Sequence, residues 1–147
     1  MSAARERIVA EALAWAGTPY RHQGRRRGVG CDCLGLVLGV WQAVMEEEPP
    51  EPGPYATDWA EASGGERMLG AARLHLREVP IAEREAGHVA LFRWRRHLPA
   101  QHAGILLSDD RFIHAYQGHA VTVSPLGPHW SRRIAGVFAF PAGPVSI

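Results

Sequence analysis

The spacing of apolar residues changes at Gly87, and this change restricts the fold more than any other feature of the 147-residue chain. Before Gly87, apolar residues recur at helical spacing, and helices are predicted over 2–16, 33–46 and 66–76. After Gly87 they recur with a period of two, and strands are predicted at about 88–94, 101–107, 111–116, 120–124 and 134–140. Helices followed by strands indicate an α+β domain with an antiparallel sheet of about five strands.

The length of the chain fits a single domain over residues 1–147. Hydrophobic residues make up 46% of the sequence, which is typical of a globular protein and argues against disorder. A segment at about 49–80 separates the early helices from the strands, and its first half is rich in proline, glycine and acidic residues. We therefore predict a surface insert over this segment.

Charge and hydropathy argue against several classes of partner. The formal net charge is +1, so no strong field favours nucleic acid or an anionic membrane. No apolar stretch approaches the ~20 residues of a transmembrane helix. Residues 1–17 carry charges within an amphipathic pattern and lack a signal-peptide cleavage site, so we expect synthesis in the cytoplasm without a signal peptide.

Cys33 stands at the predicted start of an apolar helix, and Asp32 can cap that helix. The free N–H groups and the macrodipole of a helix start stabilise a thiolate, and the same N–H groups can hold an oxyanion. Gly35 in the first turn is expected to keep the surface open for substrate. The alternative is a small buried thiol in a core helix, because cysteine is often fully buried.

Two histidines, His102 and His114, lie in adjacent predicted strands. If residues 108–110 form a three-residue hairpin loop, Gly104 lies opposite His114 and His102 lies diagonally across from it on the same face. The two Cβ atoms would then be ~7–8 Å apart, which two imidazoles can span. A two-residue loop would place the rings on opposite faces.

The two cysteines, Cys31 and Cys33, are too close in sequence for an easy disulfide and are expected to be reduced. Eight histidines accompany them, but no Cys-x-x-Cys motif occurs. We therefore predict neither a structural metal nor a cofactor.

Five sequence pieces together resemble the NlpC-type cell-wall peptidase family, papain-like cysteine hydrolases that cut the peptide stems of bacterial peptidoglycan. In chain order they are Gly17-Thr18-Pro19-Tyr20, Asp32-Cys33-Leu34-Gly35-Leu36-Val37, Gly87-His88-Val89-Ala90-Leu91-Phe92, His102-Ala103-Gly104-Ile105 and Phe112-Ile113-His114-Ala115. The resemblance implies a papain-like fold, with the nucleophile at a helix start packed on the sheet.

The resemblance also implies roles for individual residues. Cys33 resembles the nucleophile, His102 the base, and His114 the residue that orients the base. Tyr20 resembles a tyrosine that lines the site beside the cysteine, and Asp32 resembles a residue near the amino group of the substrate. Leu34 departs from the family, which usually has serine at this position, and this departure affects the substrate pocket.

The activity implied is a cysteine endopeptidase acting on stem peptides, at the bond between D-glutamate and the diamino acid. The sequence also resembles small members found with phage tails and gene-transfer particles, which implies delivery to the cell wall in such a particle and contacts with its proteins. Two alternatives stay open: an amidase or acyltransferase with the same triad, and a structural module of a tail-like particle with a vestigial site. An intact triad predicts fast alkylation of Cys33 near neutral pH, whereas a vestigial site predicts an ordinary thiol.

Overall fold

The fold is taken from a computed structural model that describes residues 2–51 and 66–141. The described helices are α1 (Ala3–Ala14), α2 (Cys33–Met45), α3 (Arg67–His75) and α4 (Pro128–Ser131), with a 3-10 turn at Ile81–Glu83. The described strands are β1 (Arg25–Arg26), β2 (Gly30–Cys31), β3 (Arg77–Val79), β4 (Val89–Arg93), β5 (Ala100–Leu106), β6 (Arg111–Tyr116), β7 (His119–Pro125) and β8 (Ile134–Ala139).

Strands β3 to β8 form a six-stranded sheet in the order β3-β8-β4-β5-β6-β7, and every neighbouring pair is antiparallel. Strands β1 and β2 form a separate two-stranded hairpin just before α2. The predicted α+β class and antiparallel sheet are confirmed. Three strands were not predicted. Strands β1 and β2 have two residues each, too few to show a pattern, and β3 is a short, largely exposed edge strand whose residues lack the apolar alternation of the others.

The sheet separates two groups of buried apolar side chains. On one face, α1 and α2 contribute residues such as Ala12, Leu36 and Val40, which pack with strand residues such as Ile105. On the other face is a smaller, mainly aromatic group, which comprises Ala90, Phe92, Leu106, Phe112 and Leu126 with Trp130 and Ile134 packed against it. Alternation along the strands assigns successive residues to these two faces.

The second half of the predicted surface insert is instead part of the fold. Met68, Leu69 and Ala72 of α3 are buried in the core, with 4%, 4% and 8% of their surface exposed. Strand β3 pairs with β8 at the edge of the main sheet. The helical spacing of these apolar residues explains why the segment packs inward. The middle of the predicted insert, residues 52–65, lies outside the described residues.

Helix length places one limit on how the described residues can meet a membrane. Across residues 2–51 and 66–141, none of the helices combines the length and apolar character that a membrane crossing requires.

Candidate active site

Cys33 is the first residue of α2, and Asp32 caps this helix as predicted. One Asp32 carboxylate oxygen accepts a hydrogen bond from the Gly35 N–H at 2.7 Å. The other oxygen accepts from the Gln23 N–H at 2.8 Å. Because only 3% of Asp32 is exposed, its carboxylate is a buried negative charge beside the thiol.

Gly35 was predicted to keep the surface open for substrate, but the structure shows that it makes room for a backbone carbonyl group. A Cβ atom at this position would lie 1.7 Å from the carbonyl oxygen of Gly24, a distance no side chain can occupy. The space above Gly35 is therefore filled by backbone rather than kept open for substrate. Glycine here lets the loop before β1 approach the start of α2.

The loop that follows α1 brings Tyr20 beside the cysteines. Tyr20 forms an isolated parallel bridge with Cys31, and the Cys31 N–H donates to the Pro19 carbonyl at 3.0 Å. Burial raises the pKa of Tyr20 to about 12, with smaller contributions from the charges of Asp32, Cys33 and Cys31. The structure thus places Tyr20, Asp32 and Cys33 in one cluster.

The second cysteine, Cys31, is entirely buried in the core. Burial, and then the Asp32 charge, raise its pKa to about 12. Unlike Cys33, it precedes the helix and is hydrogen-bonded through its backbone to Pro19 and Arg21. Within the part of the chain that the structure describes, no three histidine, cysteine, aspartate or glutamate side chains are grouped as metal ligands.

The β5–β6 hairpin has the register on which the histidine prediction depended. Leu107 donates to the Arg111 carbonyl at 2.9 Å, which leaves residues 108–110 as a three-residue loop. Ile105 pairs with Ile113, and the same register places Gly104 opposite His114. A Cβ on Gly104 would lie 2.7 Å from the Phe112 ring and 3.3 Å from the His114 Cβ, so glycine makes room for these two side chains.

The two rings are joined directly. The Nε2 atom of His102 lies 2.8 Å from the Nδ1 atom of His114, within hydrogen-bond distance. The predicted diagonal contact is therefore confirmed. Since Nε2 of His102 is occupied by this bond, Nδ1 is the nitrogen that can receive a proton from a thiol.

Ser124 on β7 extends this contact and was not predicted from the sequence. Its Oγ lies 2.9 Å from Nε2 of His114. Thr122 pairs with His114, so Ser124 is diagonal to His114 on β7, as His102 is on β5. A register shift between His114 and Tyr116 interrupts the β6–β7 pairing, and counting along the sequence does not reveal it.

Aromatic side chains enclose the histidine pair and were also missed. The Trp94 and Trp130 rings lie 4.8 Å and 5.5 Å from the His102 ring, each tilted by 31°. Only 2% of His102 is exposed, and burial, followed by the neighbouring His114, holds its pKa well below the ordinary value. Burial, then His119, lowers the pKa of His114 to about 4, so both rings are neutral near pH 7.

The surroundings of the half-buried Cys33 favour its protonated thiol over the thiolate that a helix start alone would favour. Burial, and then the Asp32 charge, raise its pKa to about 12. The backbone N–H groups of Ala103 and Leu34 act in the opposite direction but do not outweigh these two effects. Among the described residues, no hydrogen bond joins the thiol to the His102 ring. Fast alkylation near neutral pH is therefore no longer expected of an intact site.

The cysteine cluster and the histidine cluster meet at β5. The Ala103 N–H interacts with the Cys33 thiol, and Ala103 directly follows His102. A register shift between Phe92 and Arg93 interrupts the β4–β5 pairing beside His102. Bulges of this kind are common next to active sites because they redirect a side chain.

An apolar cavity of about 130 Å³ adjoins this meeting point. Leu34, the residue after the nucleophile candidate, and Ala103 both line it. Its other walls come from α2, α3, β4 and the segment after α2, and include Val37, Trp41, Met68 and Leu91. Leucine at position 34 thus adds to an apolar surface beside the thiol.

Comparison with known proteins agrees with this architecture. Residues 17–139 match the model of the NlpC/P60 family. The NlpC/p60 domain of the peptidoglycan hydrolase SagA covers 92% of this chain with a TM-score of 0.64 at 24% identity, and 98% of that domain is covered. The similarity to this solved structure supports the papain-like fold that the resemblance implied.

Two curated relatives are similar in sequence. Gamma-DL-glutamyl hydrolase of Bacillus subtilis is 29% identical over 134 residues, which cover 90% of this chain and 29% of the relative. A probable endopeptidase NlpC homolog of Haemophilus influenzae is 27% identical over 119 residues, which cover 80% of this chain and 53% of the relative. The chain therefore spans about half the length of these relatives or less. Since the family match extends from the Tyr20 loop to the last strand of the sheet, the chain belongs to the NlpC/P60 family.

Proposed function

We propose that this protein is a cysteine endopeptidase that hydrolyses stem peptides of bacterial peptidoglycan. Cys33 is the nucleophile, His102 the base, and His114 the residue that orients His102. The observation that supports this proposal most strongly is the 2.8 Å hydrogen bond between the two rings, beside a thiol at a helix start. A nucleophile, a base and a third group that orients the base make up a catalytic triad.

In the proposed mechanism the reaction begins from neutral groups. As Sγ of Cys33 attacks the peptide carbonyl, its proton passes to Nδ1 of His102. The N–H groups at the start of α2, that of Cys33 included, stabilise the oxyanion. His102 then protonates the leaving amine, and a water molecule hydrolyses the thioester, with His102 again acting as base.

The raised pKa of Cys33 is compatible with this chemistry. A more basic thiolate is a stronger nucleophile once it forms, so a general base that removes the proton during attack uses this reactivity. The buried Asp32 carboxylate disfavours a resting thiolate. Charge separation therefore develops only when a substrate is bound and the oxyanion can be stabilised.

The bond that we propose is the one between D-glutamate and the diamino acid. The name of the Bacillus subtilis relative describes hydrolysis of gamma-DL-glutamyl bonds, and that of the Haemophilus influenzae relative describes a probable endopeptidase. Tyr20 and Asp32, which cluster with the thiol, are proposed to contact the substrate beside this bond. Delivery in a phage-like particle, with contacts to its proteins, stays a prediction of the sequence resemblance.

Digestion of purified muropeptides, analysed by mass spectrometry, tests the proposal. We expect the wild type to cleave and Cys33→Ala to lose turnover at an unchanged fold. Cys31→Ala is the matched control, because it removes the other thiol of the same segment and should keep activity. Fragment masses identify the bond. Cleavage by folded Cys33→Ala, or loss of cleavage in folded Cys31→Ala only, would contradict the assignment of the nucleophile.

Acyl transfer with the same triad is a second candidate, which the cavity beside the thiol favours. Its walls are mostly apolar, with Glu51 and His75 as the polar exceptions, and 130 Å³ is enough for a small hydrocarbon group. A parallel reaction containing an acyl ester and an acceptor amine distinguishes the two candidates. A product that forms only with the acceptor would indicate a transferase, whereas release to water indicates a hydrolase.

A further inference from the structure

The histidine pair and Ser124 form a continuous chain of hydrogen bonds across three strands. His102 on β5 contacts His114 on β6 at 2.8 Å, and His114 contacts Ser124 on β7 at 2.9 Å. Both rings are fully enclosed, whereas Ser124 is only half-buried. The chain therefore runs from the buried His102 to a residue at the partly exposed side of β7.

Two neutral imidazoles allow only two consistent arrangements of protons in this chain. In the first, Nε2–H of His102 donates to Nδ1 of His114, and Nε2–H of His114 donates to the Ser124 hydroxyl oxygen. In the second, the Ser124 O–H donates to His114, whose Nδ1–H donates to His102. Only the first leaves Nδ1 of His102 without a proton and able to accept one from a thiol.

We infer that Ser124 is a positioning residue that selects the first arrangement by accepting the Nε2–H of His114. This inference rests on the proposed function, because it assigns Ser124 to the same base. Ser124 can act as this acceptor because its own O–H can donate to water at the protein surface.

Removing the Ser124 hydroxyl should make the second proton arrangement more stable than the first. In Ser124→Ala, the first arrangement leaves the Nε2–H of His114 buried without an acceptor. The second leaves only a nitrogen lone pair without a partner. Since orphaned buried N–H groups are rarer than under-satisfied acceptors, the variant should move toward the second arrangement, in which His102 cannot act as base.

Three variants of β7 test this inference. Ser124→Ala removes the acceptor, Ser124→Thr keeps a hydroxyl, and Thr122→Ala is the matched control. Thr122 is exposed, lies on the same strand two residues away, and is outside the hydrogen-bonded chain. For each variant we would measure kcat and KM on muropeptides and the tautomers of both rings by ¹⁵N NMR.

We expect Ser124→Ala to lower kcat by about tenfold or more, as the loss of one buried hydrogen bond implies, with KM nearly unchanged. In the wild type, NMR should place the proton on Nε2 of both rings, and in Ser124→Ala on Nδ1 of His114. Ser124→Thr should restore the wild-type tautomers and Thr122→Ala should not alter them.

Two results would overturn the inference. One is a wild-type His102 protonated at Nδ1, and the other is a folded Ser124→Ala protein with wild-type tautomers. The NMR measurement needs no substrate. It therefore tests whether Ser124 sets the tautomers of the two rings even if the wild type fails to cleave muropeptides. That failure would refute the proposed peptidase activity separately.

Discussion

At the scale of the residue, the pKa values of Cys33 and His102 are displaced in opposite directions by the same cause. Burial disfavours the charged form of each group, so it raises the pKa of the thiol and lowers that of the imidazole. Asp32 adds to the first displacement and His114 to the second. Both displacements favour a neutral thiol and a neutral imidazole in the ligand-free protein over an ion pair.

Alkylation of Cys33 by iodoacetamide should reflect this neutral state. We expect the rate constant to be low at pH 7 and to rise about tenfold per pH unit through pH 9, because only the thiolate reacts. The rate constant should rise with pH because a pKa of about 12 keeps the thiolate fraction of Cys33 small over this whole range. The Cys31→Ala variant should be used, since Cys33 is then the sole thiol of the chain.

The same variant unfolded in denaturant is the control for alkylation. Its thiol has the ordinary pKa, so its rate should level off above about pH 9. A plateau between pH 5 and 8 in the folded protein would instead indicate a resting thiolate–imidazolium pair, contrary to our interpretation.

At the scale of the element, the start of α2 is held in place by a loop that closes over it. The Gly24 carbonyl accepts from the Asp32 N–H at 3.2 Å and occupies the space where a Gly35 side chain would be. Asp32 in turn caps the helix through Gly35. The position of Cys33 thus depends on a glycine two residues later.

Gly35→Ala should therefore destabilise the protein. Its methyl group would overlap the Gly24 carbonyl, so the loop or the helix must shift, and we expect a loss of about 1–3 kcal/mol in the free energy of unfolding. Urea denaturation measures this loss. The matched control is Gly70→Ala in α3, where a Cβ meets nothing within 4 Å, and this change should be neutral or stabilising. Equal stability of the two variants would contradict the packing described for Gly35.

The sequence predicts the elements that carry the reactive groups better than those that support them. The helix starting at Cys33 has a capping residue and a long apolar pattern, and the β5–β6 hairpin has a short loop that sets its register. Both signals are local. The position of Ser124 depends on a register shift in the next strand pair, and that of Trp130 on a single helical turn. Such features arise from tertiary packing, which periodicity does not encode.

At the scale of the whole molecule, the candidate site combines side chains from both faces of the sheet. Helix α2 and its thiol belong to the helix-covered face, whereas His102 and His114 lie with the aromatic group on the opposite face. The two groups of side chains approach each other at Ala103 on β5.

Locating a covalent acyl group on the protein tests most directly whether Cys33 is the nucleophile. An activated ester of the acyl half of the stem peptide is mixed with the wild type, the reaction is quenched in acid, and the modified peptide is sequenced by tandem mass spectrometry. We predict a thioester on Cys33, formed at least tenfold more slowly in His102→Ala, as expected when a general base is removed. An acyl group on Cys31, or turnover of the ester without any thioester on Cys33, would contradict the assignment of Cys33 as the nucleophile.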